Sequence, residues 1–511
     1  MQQNRDGEPK SFKPLGHFNL LISSFLLALP LMGAGNFEDF KRTQSESFSK
    51  YKDERDNAFN KHLKAQWEAY NVYKSIPLYE KPKPKIFPQA KQIKPKNVGP
   101  RVSIEIKTPK EFIIYKEDEK KERELEVVVK EFTPEAQIPK QEEEIELVKK
   151  EISFDFFGTY LAFDIAKDMK GARFYPQNKD GILNFFSSCA SSDYDTLIRD
   201  IKEVSISMNL NDWGIYLLVR EISKQVHPNS DDSNLLSWFI FNKLGYAVKV
   251  GLADNHVVLM HYSEKIIYAT PNYSFGNKKY YVVSNYAKGS VGRLYSYKQD
   301  YPDATKPLDL ALKSLPNFKI DLKSKTLNFQ NYSKDYTLFF EYNKNLIDFM
   351  ATYPQADYET FFNAPLDERT YASIAKDIKK YVDGMSASEA MNFVLHFVQK
   401  SFIYETDEEQ FSREKVMFAA ETLYYDKSDC EDRATLYSYL VKELFGVSVL
   451  GIKYEDHMAT ALYIPMSGDS IEANKKKYIV ADPTYINSNI GQSMPKYRFI
   501  NPESFVVVKR D

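Results

Sequence analysis

Three side chains near the C-terminal end of the sequence are of the types that act together in nucleophilic catalysis: Cys430, His457 and Asp482. A thiol can attack a carbonyl carbon, an imidazole can move the proton, and a carboxylate can orient the imidazole. The three types in this order predict an acyl-enzyme site. Cys430 is its nucleophile, His457 its base and then its acid, and Asp482 the group that holds the imidazole.

The elements around these residues are suited to position them. Ser428 and Asp429 are helix-capping types, and apolar residues then recur at steps of three and four through residues 434–445. Cys430 is therefore expected in the first helical turn, where unpaired amides and the helix dipole favour a thiolate. Strand-like segments follow at residues 447–454, 459–464 and 478–481. One helix start and two strand ends can thus converge on the three side chains.

The flanking residues of all three positions resemble a known family, the transglutaminase-like branch of the papain-like cysteine enzymes. The resemblance covers roughly the last 130 residues and is carried by three stretches: Ser428-Asp429-Cys430-Glu431-Asp432-Arg433-Ala434, Glu455-Asp456-His457-Met458-Ala459 and Ala481-Asp482-Pro483-Thr484-Tyr485. It implies an α+β fold in which the helix bearing the cysteine packs on antiparallel strands. It also implies hydrolysis of protein or peptide amides in a bacterial cell envelope, without a metal or cofactor.

Each of the three residues could instead have a purely structural role. Cys430 could be a buried small residue or could form a disulfide with Cys189, the one other cysteine, while His457 and Asp482 could be ordinary turn residues. At the level of function, the thioester could pass to a lysine amine and crosslink proteins instead of reacting with water. Alternatively, the chain could be a non-catalytic binding or assembly protein of the envelope.

A second, altered copy of the pattern is predicted upstream. Moving back by 201 residues places Gly446 on Gly245 and His457 on His256, but Cys430 on Asn229. After an extra loop at residues 465–470 the offset becomes 212, which places Asp482 on Thr270. This copy lacks the nucleophile and would be a scaffold or a binding module. A metal pair of His256 and His261 lacks further ligands, so a metal site is not expected.

Composition and patterning set the remaining expectations. The net charge of −2 and the lack of a basic, aromatic-rich groove argue against binding to nucleic acid. The apolar residues 18–34 follow basic residues and predict export, either through a cleaved signal peptide or as a membrane anchor. The aromatic periodicity of residues 37–73 predicts a long amphipathic helix that could mediate self-association.

The predicted organisation has six parts. It comprises a signal peptide or anchor (1–35), the amphipathic helix (36–76), a Pro/Lys-rich and charged linker (77–150), the altered copy (151–275), a β-rich domain (276–365) and the catalytic domain (366–511).

Overall fold

The computed structural model describes residues 34–73, 76–106, 150–285 and 292–509. The chain divides into two compact units, residues 1–59 and residues 60–511. The predicted apolar segment 18–34 and the charged stretch after residue 106 lie almost wholly outside the described residues. Within the described ranges, no helix is both long enough and apolar enough to cross a membrane.

The first helix, α1 (Ala34–Lys64), is shorter than the aromatic pattern predicted. The prediction extended it to Tyr73, but β1 (Glu68–Tyr70) follows it and joins a sheet. Aromatic contacts explain the early end. Trp67 packs edge-on against Tyr297, and Tyr70 packs against Phe275. These two rings therefore pack on the sheet and do not continue the apolar face of the helix.

A hairpin and five helices lead into the first large sheet. The predicted strand at residues 153–163 is two strands, because Phe157 and Gly158 adopt positive φ angles of 49° and 79° and turn the chain. The elements are β2 (Ile152–Phe156), β3 (Thr159–Phe163), α2 (Lys167–Gly171), α3 (Lys179–Ala190), α4 (Asp195–Ser207), α5 (Asp212–Val226) and α6 (Ser230–Lys243). The side chains of Asn178, Asn211 and Asn229 cap α3, α5 and α6.

The first large sheet is antiparallel, and α6 packs on it. Its further strands are β4 (Val248–Ala253), β5 (His256–Tyr262), β6 (Asn272–Phe275), β7 (Lys278–Tyr281) and β8 (Leu294–Ser296). The strand order is β1-β8-β4-β5-β7-β6.

The residues predicted as a β-rich domain, 276–365, contribute strands to two different sheets. Their first strands, β7 and β8, belong to the sheet just described. A separate long hairpin follows, formed by β9 (Leu322–Asn331) and β10 (Lys334–Asn343), and then two helices, α7 (Lys344–Ala351) and α8 (Tyr358–Phe362). The hairpin packs against the C-terminal part through α9 (Glu368–Val382) and α10 (Ala387–Lys400), so its apolar face is covered by that part.

The C-terminal part is an α+β structure with a five-stranded antiparallel sheet of order β15-β16-β14-β13-β17. Its elements after α10 are β11 (Ile403–Tyr404), α11 (Asp407–Phe411), α12 (Ala419–Tyr424), β12 (Lys427–Ser428), α13 (Cys430–Phe445), β13 (Val449–Lys453), β14 (Met458–Leu462), β15 (Ser470–Ala473), β16 (Lys476–Ala481) and β17 (Ser504–Val507). Helix α13 packs on β13 and β14 and against α10 and α12. The predicted helix and the three predicted strands are present as α13, β13, β14 and β16, whereas β15 and β17 were not predicted.

The loop between β14 and β15 is fixed by a close approach of two glycines. Gly468 has a φ of +155°, and a Cβ atom there would lie 2.4 Å from the Cα of Gly491. We expect Gly468→Ala to lower the free energy of unfolding by about 2–3 kcal/mol, because the backbone must separate to admit the methyl group. Denaturant unfolding measures this loss.

The matched control is Gly384→Ala, since Gly384 also has a positive φ (+79°) but has open space where the Cβ would lie. It should lose only about 1 kcal/mol, the cost of the left-handed backbone. Equal losses in the two variants would show that the contact with Gly491 does not stabilise the loop.

Candidate active site

His457 and Asp482 form a buried hydrogen-bonded pair. The Nε2 atom of His457 lies 2.9 Å from Oδ2 of Asp482, and both side chains are at most 2 % exposed. His457 precedes β14 and Asp482 follows its neighbour β16, so the sheet brings the two side chains together. A carboxylate on Nε2 leaves the proton-accepting position of a neutral imidazole at Nδ1. No described residue bonds to that nitrogen.

Asp482 is held on its other side by the backbone. Its Oδ1 accepts hydrogen bonds from the N–H groups of Thr484 and Tyr485, at 2.9 and 3.1 Å. Its carbonyl oxygen accepts from the side-chain amide of Gln399, at the end of α10, at 3.0 Å. The carboxylate can therefore orient the imidazole but cannot easily turn away from it.

Aromatic rings enclose the imidazole of His457. Tyr497 stacks on it at 4.7 Å between ring centroids, and Phe87 lies at 4.9 Å. Tyr497 donates its hydroxyl proton to Asp456 at 2.9 Å, which fixes the ring. His457 is consequently cut off from solvent on both sides.

Cys430 is the first residue of α13, as predicted, and is fully buried. Its Sγ donates a hydrogen bond to Oε2 of Glu431 at 3.0 Å. Burial raises the pKa of the thiol well above its usual value, and the nearby charges of Glu431 and Asp429 raise it further. The thiolate expected from the helix start stays a prediction; in this conformation burial and the two neighbouring carboxylates oppose it.

Of the three predicted residues, His457 and Asp482 are hydrogen-bonded to each other. Burial raises the pKa of Tyr497, and its hydrogen bond to Asp456 raises it further. The Tyr497 ring stacks on His457. No hydrogen bond joins Cys430 to His457 in the described structure; the thiol is turned to Glu431 instead.

Arg433, in the first turns of α13, ties the start of that helix to residues 399–402 and to Ser428. It is fully buried and donates hydrogen bonds to the Ser428 hydroxyl (3.1 Å) and to the carbonyl oxygens of Gln399 (3.3 Å) and Phe402 (2.8 Å). Burial lowers its pKa to about 10. Through Gln399, the same contacts connect the helix that bears Cys430 to the backbone of Asp482.

A buried lysine from the region predicted as a linker lies close to Cys430. The Nζ atom of Lys83 contacts the carboxylates of Asp407 (3.0 Å), Glu414 (2.8 Å), Glu431 (2.6 Å) and Asp429. We call these four carboxylates the acidic pocket. Glu431 touches both the ammonium, through Oε1, and the Cys430 sulfur, through Oε2. The ammonium is therefore one carboxylate away from the thiol.

The acidic pocket holds more negative groups than one ammonium can neutralise. Burial opposes the charge of Lys83, but Asp429, Glu431 and Asp407 raise its pKa well above the usual value. Burial and the neighbouring carboxylates raise the pKa of Asp429 and bring that of Glu414 to about 8. Burial also acts to raise the pKa of Glu431, but Lys83 outweighs it and leaves this pKa lowered. Glu431 is thus the ionised partner of the ammonium.

Residues 78–92, which we call the covering segment, lie over the site. Tyr79 donates its hydroxyl proton to Glu431 at 3.3 Å, and Tyr404 donates to the Pro84 carbonyl at 2.9 Å. Phe87 covers His457, and Lys83 fills the acidic pocket. Residues 77–106 are extended, as predicted for a Pro-rich stretch, but they pack against the C-terminal part and are not a free linker.

Groups in and beside the acidic pocket have donor atoms close enough to share a cation: one such set is Asp407, Asp429 and Asp432, with oxygens within 4.8 Å of one another. A second set is Asp407, Glu414 and Glu431, and a third is Asp429, Glu431 and the sulfur of Cys430. Carboxylate oxygens suit Ca²⁺ or Mg²⁺. Lys83 places its ammonium among these oxygens, so a metal ion would have to displace it.

Both cysteines are free thiols, and both are buried. The alternative of a disulfide between Cys189 and Cys430 is therefore wrong. Cys189 lies on α3, within the first helical part of the chain, and burial raises its pKa as well. It provides a second buried thiol against which the reactivity of Cys430 can be compared.

The upstream sheet repeats the topology of the C-terminal sheet. After its helix α6, five antiparallel strands have the order β8-β4-β5-β7-β6, which corresponds strand for strand to β17-β13-β14-β16-β15. The hairpin register also matches at an offset of 201 residues, because Val250 pairs with Leu259 as Gly451 pairs with Thr460. The two parts of the chain therefore have the same core architecture.

The structure changes two of the predicted correspondences between the copies. Cys430 is the first residue of α13, and the first residue of α6 is Ser230, whereas Asn229 is the cap of α6. Neither Asn229 nor Ser230 has a thiol. Residues 266–269 are not a strand; β7 is the counterpart of β16, and a tight turn at Val283–Asn285 follows it. Thr270 is therefore not the counterpart of Asp482. His256 is exposed and contacts Asp231 at 3.1 Å instead of lying in a closed site.

His261 gives the upstream copy a dependence on pH. Its ring packs edge-on against Tyr216 and Phe241, neither ring nitrogen bonds to a described residue, and burial lowers its pKa to about 3. Because the folded pKa lies below that of an unfolded histidine, protons bind the unfolded chain preferentially. Stability is therefore complete above about pH 6.5 and falls by roughly 1.4 kcal/mol per pH unit as the pH drops toward 3.

We expect His261→Phe to lose less stability than the wild type between pH 7 and pH 5, as measured by chemical denaturation at the two values. Some loss remains, because burial lowers the pKa of His396 to about 4 in the same direction. His256→Phe is the control and should keep the wild-type dependence, since that ring is exposed. An unchanged dependence in His261→Phe would contradict the assignment.

Several residues of the site were not foreseen from the sequence. Lys83 and Phe87 lie in a Pro/Lys-rich stretch, Gln399 ends a helix, and Tyr497 follows the last predicted strand. Nothing in their spacing connects them with Cys430 or His457, because each contact spans a large separation along the chain or lies in irregular structure. The capping types at residues 428–432 were the one local signal, and they predicted the helix start only.

Comparison with known proteins gives no relative for this chain. A scan against protein-family models, a search of curated proteins and a search of solved structures each found no match.

Proposed function

We propose that the C-terminal part of this chain is a transglutaminase-like cysteine hydrolase that acts on protein or peptide amides, with cell-envelope proteins as the expected substrates. The observation that carries the proposal is the buried His457–Asp482 pair, whose Nδ1 bonds to no described residue. The helix-on-antiparallel-sheet arrangement of α13 supports the same assignment.

The chemistry follows from these positions. The Cys430 sulfur attacks the amide carbonyl carbon, and its proton passes through His457 to the leaving amine. The amine departs and a thioester remains on the sulfur. Water, deprotonated by the same imidazole, then attacks the thioester and releases a carboxylic acid and the thiol. Asp482 keeps the imidazole oriented and stabilises it when it is protonated.

The described conformation represents a resting state in this proposal. Cys430 and His457 are both fully buried, and the thiol donates to Glu431. Turnover requires that the covering segment move and that the thiol turn from Glu431 toward Nδ1 of His457. An opened variant, Lys83→Ala with Phe87→Ala, removes the two side chains of the covering segment that fill the site.

The experiment is acylation by p-nitrophenyl acetate, an activated ester that reports the first half of the reaction. We expect the opened variant to form one acetyl-enzyme per chain, located at Cys430 by mass spectrometry, and to lose the acetyl group over time. Cys430→Ala in the same background should remain unmodified, and His457→Ala should be acylated slowly. Acetylation at Cys189, or at Cys430 with no effect of His457, would contradict the proposal.

Transfer of the acyl group to an amine is a second candidate, and the position of Lys83 favours it. The Lys83 ammonium is one carboxylate away from the sulfur that would carry the acyl group. In that case a lysine amine attacks the thioester in place of water, giving an amide and the free thiol. Adding a fluorescent primary amine to the acetylated enzyme separates the two fates: an amide product favours transfer, and acetate alone favours hydrolysis.

A further inference from the structure

Residues 78–89 of the covering segment are held mainly by side chains, whereas the chain from Ala90 on is held by its backbone. Within residues 81–89, the Pro84 carbonyl is bonded by Tyr404, and the remaining polar contacts come from lysines. The Ala90 N–H donates to the Ile486 carbonyl at 2.8 Å, and further along the Val102 N–H donates to the Met385 carbonyl. Residues 78–89 can therefore leave while the residues after them stay attached.

The cleft beneath the covering segment has a built recognition site for an ammonium. The four carboxylates of the acidic pocket come from three places: α11, the loop after it, and the start of α13. Two of their oxygens, Oδ1 of Asp407 and Oδ1 of Asp429, are buried and bond to no described residue.

A second contact of the covering segment lies at the catalytic imidazole. Phe87 packs at 4.9 Å on His457 and at 5.2 Å on Tyr404, in the space that a substrate must enter to reach the nucleophile. Residues 83 and 87 are four apart in an extended chain, about 13 Å. The covering segment thus spans the distance from the acidic pocket to the imidazole as a bound peptide would.

A pocket of about 370 Å³ that opens to solvent lies between residues 79–85 and a body surface formed by Thr406, Glu408, Glu409 and Glu414. Three of these four residues are acidic, which suits a basic chain at this edge of the cleft.

We propose that the cleft beneath residues 78–92 is the substrate-binding cleft and that it binds an extended basic peptide, one of whose lysines places its ammonium in the acidic pocket. The covering segment is the intramolecular occupant of this cleft and competes with such a peptide. This inference rests on the proposed function, because it names the substrate class of the same site. A peptide enters when the covering segment leaves.

Binding is measured apart from chemistry. The protein is the full chain with Cys430→Ala, Lys83→Ala and Phe87→Ala, and the probe is a fluorescent synthetic peptide with the sequence of residues 78–93, followed by fluorescence anisotropy. We expect this peptide to bind the opened protein. The Lys83→Glu peptide should bind at least ~10-fold more weakly, because it loses charge-assisted hydrogen bonds and brings a like charge.

The matched control is the Lys85→Glu peptide. Lys85 is exposed and contacts Glu409 at the surface, so its loss should change affinity by less than about fivefold. Protein with Cys430→Ala alone should bind the peptide much more weakly than the opened protein, since its own covering segment is present at high effective concentration. Equal affinity of the wild-sequence and Lys83→Glu peptides would overturn the inference.

A second peptide tests whether the cleft binds basic peptides in general or only the covering segment of this chain. It keeps the lysine and the aromatic residue four positions apart, and its other residues are replaced by serine and alanine. Binding of this peptide supports a general ligand class, and binding of the native sequence alone overturns it. Intact peptide binding together with failed acylation of Cys430 would overturn the proposed function and leave the cleft assignment standing.

Discussion

Replacing Lys83 and Phe87 by alanine is expected to raise the rate at which iodoacetamide alkylates Cys430 by about 10²–10³-fold. Lys83 contacts four carboxylates, three of them buried, and removal of one partner of a buried ion pair costs about 3–5 kcal/mol. That cost falls on the closed conformation, because the carboxylates are hydrated when the segment is open. Each 1.4 kcal/mol changes the closed-to-open ratio about tenfold.

Two comparisons make this result specific. Lys85→Ala removes a neighbouring lysine whose ion pair is exposed, and its alkylation rate should stay within about threefold of the wild type. Cys189 is a buried thiol elsewhere in the chain, so its labelling reports general loosening of the fold. Equal acceleration at Cys189 and Cys430 would mean that the double variant unfolds and does not merely open.

Asp482→Asn is expected to lower the rate of Cys430 acylation in the opened variant by roughly 10³–10⁴-fold. An asparagine can still accept from Thr484 and Tyr485 through Oδ1, so the turn after β16 is kept. Its amide, however, presents N–H donors to Nε2 of His457 where a carboxylate accepted. The imidazole must then carry its proton on Nδ1 and cannot accept the proton of the thiol.

Asp456→Asn serves as the control for this prediction. Asp456 is beside His457 in the chain and bonds to Tyr497, but it makes no hydrogen bond to the imidazole. Its replacement removes a negative charge near His457, as Asp482→Asn does, and should lower the acylation rate by less than about tenfold. A loss as large as that of Asp482→Asn would indicate that local charge, and not orientation of His457, governs the rate.

The sequence carried the local elements of the site but not its enclosure. The capping types before Cys430 and the apolar period of residues 434–445 predicted a helix start, and α13 begins there. The Asp482 turn was likewise predicted, because a strand must end before Pro483. The family and the roles of the three residues stay predictions, since the comparisons found no relative.

What escaped prediction depends on contacts between distant parts of the chain. A Pro/Lys-rich stretch has no hydrophobic period, so nothing in residues 77–106 indicated that Lys83 would be buried against carboxylates more than 320 residues away. The burial of Cys430, which opposes a thiolate, was not foreseen either, because it comes from the fold around the helix start. The strands after residue 276 were recognised locally, but their sheet depends on pairing that spacing does not show.

The most direct measurement is the pH dependence of Cys430 alkylation in the opened variant, compared with the same variant carrying His457→Ala. Iodoacetamide rates are taken between about pH 5 and pH 9, with the labelled site read by mass spectrometry. An activated Cys430–His457 pair predicts fast labelling that persists near pH 6 and that disappears in His457→Ala. Identical profiles, both falling about tenfold per unit below the pKa of an ordinary thiol, would contradict a catalytic site at Cys430.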